Sequence, residues 1–259
     1  MKRLRLVYKY ILHFFSARNT RGFGVHSPYL FQFTRFVIYD KSVYYIFPEI
    51  ENIRTALKKD NSLLDIRDFG TGKDRSRRVS DIAVHSVKSA KYGQLLYKIA
   101  HFCKSKNILE LGTSLGLTTA YLASSSSKIR CVSLEGSDEI SAIANRNFEK
   151  LHLKNIQVEV GNIDLTLPKV LHDFDTLDLV FIDANHKLPA IYDYFEQCLI
   201  KVHANSILIV DDIHWSADME KAWNSIKNHP QVTSTIDLFQ LGIVFFRADL
   251  NKRHYKMRY

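Results

Sequence analysis

The sequence predicts an α/β chain, with a doubly wound, mainly parallel seven-stranded sheet that closes in an antiparallel hairpin, preceded by a helical section. Three observations carry that prediction. From Asn107 to Asn228, apolar runs of strand length alternate with segments of helical period. Polar residues recur where those runs end, at Glu110, Glu135, Asn162 and Asp183, with a fifth site at Asp211-Asp212. The last two β-rich runs, 232–239 and 242–246, are joined by a very short link and read as a hairpin.

Composition limits what the chain can be. With 259 residues and 46% hydrophobic content it can bury the core of a full domain and an appendage. No apolar run reaches the roughly 18 residues of a membrane span. The opening residues are basic and then apolar, like a signal peptide, but Lys9 and His13 break the run and no small-residue cleavage site follows. An uncleaved amphipathic helix is the expectation. Cys103, Cys131 and Cys198 are far apart in apolar contexts, which fits buried thiols in a reducing, cytoplasmic compartment. The net charge of +9 is concentrated at the ends. Lys2, Arg3, Arg5, Lys9, Arg18 and Arg21 stand without an acid in residues 1–22. Arg247, Lys252, Arg253, Lys256 and Arg258 stand against Asp249 alone in 247–259, and the body between is near neutral. Basic ends with interleaved aromatics suit an anionic membrane surface, RNA or an acidic partner, or simply solvation.

Taken in order, residues 2–16 carry apolar positions at helical spacing, and 18–24 read as a loop. Residues 25–40 form a dense aromatic pattern after His26-Ser27-Pro28, where Ser27 can cap a helix that Pro28 begins. A third helix is expected over 46–59. Asp68-Phe69-Gly70-Thr71-Gly72 imitates a nucleotide loop, but a basic stretch follows it instead of an apolar helix, so a turn between strand-like pieces fits better. Helical period returns at 79–83 and 92–102. Strands are expected at 108–111, 129–134, 156–160, 177–182 and 206–210, each followed by a helix. The organisation expected is a helical and aromatic section over 1–84, a ligand-binding domain over 85–247 and a basic tail over 248–259.

Asn107–Ala123, NILELGTSLGLTTAYLA, reads as strand, tight loop and helix, the unit that cradles a nucleotide. In open α/β sheets ligands bind beyond the carboxyl ends of the strands, so the polar strand-end residues should converge there. Glu135 lies 19 residues beyond Gly116, where an acid can accept the ribose hydroxyls of a nucleoside. A dinucleotide loop needs a middle glycine for close approach to pyrophosphate. Gly112-Thr113-Ser114-Leu115-Gly116 lacks it, and Glu110 would set a negative charge beside that diphosphate. An acid there suits a ligand with an ammonium group, which favours S-adenosylmethionine (SAM) over NAD.

The segment Ser89–Ala123, SAKYGQLLYKIAHFCKSKNILELGTSLGLTTAYLA, resembles the opening of the catechol and caffeoyl-coenzyme A O-methyltransferases, a branch of the class I SAM-dependent enzymes with a Rossmann-like fold. The resemblance continues through VSLEGSDE, VEVGNIDLTLPKVL, DLVFIDANHK and ILIVDDIHW, covering residues 85–246. It implies that Ser89 lines the methionine end of SAM. The loop from Glu110 through Gly112, Thr113, Ser114 and Gly116 would cradle that end, with Thr118 near the carboxylate. Glu135 would hold the ribose, and Asn162 and Asp164 would contact the adenine. Asp183 would lie near the sulfonium and, as in metal-dependent members, share Mg²⁺ with Asp211 and Asp212. The family's usual Asp-Asn is Asp211-Asp212 here, and its catalytic lysine position holds His186, with Lys187 one residue later. Members often form homodimers.

Methyl transfer is an in-line displacement, so holding nucleophile and methyl within about 3–3.5 Å does most of the work. A phenolic hydroxyl, with a pKa near about 10, must also lose its proton. His186 is the expected base, with Asp183 and Lys187 beside it, or a cation at Asp183 would stabilise the oxyanion; His214 is a second candidate. The expected function is SAM-dependent methyl transfer to a hydroxyl of a small-molecule acceptor. The alternatives are a non-catalytic, cofactor-binding scaffold of the same fold and an RNA methyltransferase using the basic ends.

Overall fold

The apolar spacing of the front section becomes helix where it is periodic and stops where a side chain competes with the backbone. The structure, a computed structural model, describes residues 2–66 and 75–259. Its first elements are α1 (Lys2–Ser16), α2 (Pro28–Phe33), α3 (Ile46–Leu57), β1 (Leu63–Ile66), β2 (Arg75–Arg78), α4 (Val79–His85) and α5 (Ala90–Phe102). Ser27 caps α2 as expected, its Oγ accepting from the Leu30 amide, with Pro28 in the first turn. The helix does not continue regularly to Asp40. Thr34 Oγ1 donates to the Leu30 carbonyl at 2.7 Å, and from Thr34 to Ile38 the chain widens into a π-turn. β1 and β2 are antiparallel, Leu63 opposite Arg78 and Ile66 opposite Arg75. The nucleotide-loop look-alike at 68–72 lies outside the described residues.

Then follow β3 (Asn107–Leu111), α6 (Leu117–Ala123), β4 (Arg130–Glu135), α7 (Asp138–Lys150), β5 (Ile156–Val160), α8 (Ile163–His172), β6 (Leu177–Ile182), α9 (Leu188–Leu199), β7 (Val202–Asp211), α10 (Ala217–Asn228), β8 (Ser234–Asp237), β9 (Leu241–Phe245) and β10 (Arg253–Lys256). The seven runs that read as strands in the sequence are β3 to β9. The chain divides into two units, Lys41–Asp175 and Met1–Asp40 with Thr176–Tyr259.

In the unit Lys41–Asp175, β4 lies between β3 and β5, parallel to both. The core under these strands joins α3, α5 and α6: Phe47 meets Tyr97 edge-on at 5.0 Å between ring centroids and Tyr121 at 5.5 Å. α5 and α6 approach so closely at Gly93 that a Cβ there would sit 2.4 Å from the Tyr121 ring.

In the other unit β6 and β7 are parallel, and β7, β9 and β8 are successively antiparallel, which is the predicted hairpin. Beyond it lies a further strand that the sequence pattern does not announce. Residues 253–256, within the stretch expected as a basic tail, form β10 parallel to β8, with Tyr255 and Met257 buried. Four residues dominated by Arg, His and Lys carry too little apolar signal to mark a strand, and charged side chains are typical of a sheet edge. Aromatic packing from the N-terminus closes this unit: Phe33 meets Phe245 at 5.2 Å and Tyr29 meets it at 6.1 Å, both edge-on.

Candidate active site

The loop between β3 and α6 is built from backbone hydrogen bonds that fasten it to the end of β4. The amides of Gly112 and Thr113 both donate to the Leu134 carbonyl, at 2.9 and 3.1 Å. The Ser114 amide donates to Glu135 Oε2 at 2.8 Å, and the Ser137 amide to Glu135 Oε1 at 3.1 Å. Burial raises the Glu135 carboxyl above its ordinary value, and the amides of Ser114, Ser137 and Gly136 oppose that rise. Both oxygens are therefore aimed by the backbone, each with a lone pair to spare. Gly116 opens α6 at φ +80, and a Cβ there would lie 2.7 Å from the Phe148 ring. The Gly161 amide donates to the Glu135 carbonyl at 2.8 Å, which holds the turn after β5 beside the end of β4. In that turn Asn162 caps α8, its Oδ1 accepting from the Asp164 amide at 3.1 Å. Thr118 is buried in the first turn of α6, and Ser89 precedes α5 as its N-cap residue.

Glu110 differs from the expectation. It is fully buried, and Ser133 Oγ donates to its Oε2 at 2.6 Å, joined by the Thr119 hydroxyl. Burial pushes its carboxyl up to about 8, against the lowering effect of those two hydroxyls. A negative charge was expected at this position, whereas burial favours the uncharged acid there. Oε1 has no hydrogen-bond partner among the described residues. Thr113 Oγ1 extends the network to Ser133 Oγ at 2.6 Å. Ser133 and Thr119 escaped the sequence reading; the signal was a lone serine inside the apolar strand CVSLE.

In the other unit, Asp183 follows β6, and Asn185 turns the chain at φ 55 with its carbonyl accepting from the Lys187 amide. His186 Nε2 lies 3.7 Å from Asp183 Oδ1, and His186 Nδ1 is buried without a hydrogen-bond partner among the described residues. Lys187 is exposed at the start of α9. β7 ends at the buried Asp211; Asp212 is half-buried at φ 51, its carbonyl accepting from the Trp215 amide.

Among the described residues no three His, Cys, Asp or Glu side chains are placed to hold a metal ion. The expected Mg²⁺ set of Asp183, Asp211 and Asp212 is thus not assembled.

His214 is committed elsewhere. Its Nε2 is 2.9 Å from Asp237 Oδ2 and its Nδ1 3.3 Å from Glu220 Oε1. Asp237 also meets His13 Nε2 at 3.1 Å and accepts from the Phe239 amide, while Glu220 pairs with Arg5 and Lys9. Burial alone would raise the Asp237 carboxyl, but the two histidines outweigh it and hold the group well below the usual carboxylate range. This network was missed in the sequence, where its trace is the four-residue spacing of Arg5, Lys9 and His13 along one helix face.

Residues 109–213, which include β3, β4, β5, β6, β7 and the ends that follow them, match the family model described as "Methyltransferase domain". That stretch of the chain is similar to such a domain. A catechol O-methyltransferase from Niastella koreensis is 30% identical over 128 residues, 48% of this chain and 57% of that protein. The chain thus spans little more than half the length of that relative. The O-methyltransferase TomG from Streptomyces achromogenes, solved with SAM, superposes with a TM-score of 0.54 at 20% identity, over 62% of this chain and 82% of its own. An O-methyltransferase from Bacillus cereus, solved with SAH, gives 0.57 at 20% identity, over 82% and 95%. These likenesses show that the chain shares the α/β fold of those structures. The β3–α6 loop and Glu135 lie at the strand-end position where open α/β sheets bind ligands.

Proposed function

We propose that this chain transfers the methyl group of SAM to a hydroxyl oxygen of a small-molecule acceptor, a phenol or catechol being the class its named relative suggests. The observation that carries the reading is the Glu135 carboxylate, fixed by the Ser114 and Ser137 amides at the mouth of the loop. Its free lone pairs suit two vicinal ribose hydroxyls. Glu110 Oε1, without a partner among the described residues, leaves a polar atom at the end of β3 for a polar group of the ligand. Ser89, Gly112, Thr113, Gly116 and Thr118 would hold the methionine end, and Asn162 and Asp164 the adenine.

Bound SAM supplies a methyl group on a positively charged sulfur. In the in-line displacement the acceptor oxygen forms a bond to that carbon as the carbon–sulfur bond breaks, and the hydroxyl proton must leave. His186 is assigned as the base that takes it, with Asp183 orienting the ring and Lys187 adjoining.

Calorimetric titration with SAH tests the cofactor assignment. Binding that is lost in Glu135→Ala supports it, and absence of heat from the unsubstituted protein at high micromolar ligand overturns it. A panel of catechols and phenols with labelled SAM tests the transfer. His186→Gln should lower kcat by about 10²–10⁴-fold while leaving SAH affinity unchanged.

A further inference from the structure

α1 is mounted the reverse way round for a helix on a protein surface. Arg5, Lys9 and His13 face the body of their own unit: Arg5 and Lys9 reach Glu220 at 3.1 and 3.0 Å, and His13, only 6% exposed, reaches Asp237. The opposite side presents Leu4, Val7, Tyr8, Ile11, Leu12 and Phe15, all exposed, with Leu4 and Phe15 at 76% and 75%. At helical spacing these six fall within an arc of roughly 140°. The polar side is thus used up in holding the helix down, and an unbroken apolar stripe is left in water, the arrangement expected where another surface covers it.

We infer that this stripe docks on the surface of an anionic lipid bilayer, with α1 lying in the plane of the interface. Charge selects this occupant. Apart from Arg5 and Lys9, which Glu220 holds, residues 1–22 place Arg18 and Arg21 just beyond the end of α1, with no acid among them. The C-terminal strand adds more at the end of α1: Arg258 Nε donates to the Phe14 carbonyl at 2.9 Å with its guanidinium 4.0 Å above the Phe14 ring, and Asn19 donates to the Lys256 carbonyl. Arg18, Arg21, Lys256 and Arg258 are exposed there. A second copy of the chain would bring the same positive ends against these, whereas anionic headgroups neutralise them. Size points the same way. A helix of 15 residues is about 22 Å long and presents a stripe of a few hundred Å², well short of the roughly 800 Å² per partner of a stable protein interface. It is also short of the roughly 30 Å core of a bilayer, and no described helix is long and apolar enough to cross one. Docking of this kind is independent of the proposed reaction.

Cosedimentation of the full chain with phosphatidylcholine vesicles, with and without phosphatidylglycerol, tests it, alongside light scattering for oligomeric state. The protein should pellet with the anionic vesicles, remain in the supernatant with the neutral ones, and dissociate as salt rises. Leu4→Asp and Phe15→Asp should each weaken vesicle binding by about tenfold or more while the thermal transition is unchanged, because both side chains already face water. Failure to bind anionic vesicles, or binding indifferent to both substitutions, overturns the assignment. So does a dimer in solution that either substitution dissociates, which would give the stripe to a second copy.

Discussion

Glu110 and Asp237 are both buried carboxyls, and their partners drive them in opposite directions. Glu110 receives two neutral hydroxyls, which do not compensate for lost water, and its carboxyl is pushed from 4.5 up to about 8. Its protonated form is the folded-state form, so its contribution is fully present below about pH 4.5 and is lost as pH rises through about 8. Glu110→Gln removes that titration. Urea unfolding should show the variant gaining on the parent between pH 5 and pH 8, by on the order of 1–4 kcal/mol; a difference constant across that range would refute the buried neutral acid. Asp237 receives two histidines and is depressed. Its contribution is present above its unfolded value of 3.8 and disappears as pH falls toward the lower folded value. Asp237→Ala leaves His13 and His214 facing a vacated site and should cost about 3–5 kcal/mol near neutral pH. A denaturant midpoint unchanged at pH 7 would sink that account. Neither protonation state was legible in the sequence, because desolvation belongs to the folded surroundings rather than to the residue or its neighbours in the chain.

At the scale of elements, legibility followed the strength of the periodic signal. The strands β3 to β7 declared themselves by apolar runs ending in a polar residue, and the loop Gly112–Gly116 by its glycines and its distance from Glu135. α1 was legible as a helix, but periodicity does not say which side is held. Only Glu220 and Asp237, more than 200 positions away, decide that Arg5, Lys9 and His13 point inward. β10 was hidden under its own charges, and Thr34 shows how one hydroxyl bonded to the preceding turn reshapes a helix that spacing alone would continue. Helix packing offers a direct check. Gly93→Ala would put a methyl 2.4 Å from the Tyr121 ring at the α5–α6 crossing, and should destabilise by about 1–3 kcal/mol in thermal or urea melts. A neutral or stabilising alanine would mean that the two helices are not in that contact.

Across the whole molecule, the first and last residues of the chain belong to one unit. Asn19 bonds Lys256, Arg258 bonds Phe14 and Thr20, and β10 pairs with β8. Ends that looked in the sequence like solvated basic tails are thus structural on one side and available on the other. Removing residues 252–259 should lower the melting temperature by several degrees, since it strips a strand from β8 and uncovers the ground under Tyr255 and Met257. An unchanged melting temperature would show β10 to be dispensable.

The carbonyl of Leu134 takes both the Gly112 and Thr113 amides, and the carbonyl of Glu135 takes that of Gly161. Three amide protons at the rim of the β3–α6 loop are thereby held in backbone hydrogen bonds. They should exchange slowly with deuterium in the empty protein and slow little further when SAH is added. A loop whose backbone is already fastened in this way would lose little conformational freedom on capturing a ligand, so its grip would come from the bonds it makes to the ligand and not from order imposed on the chain.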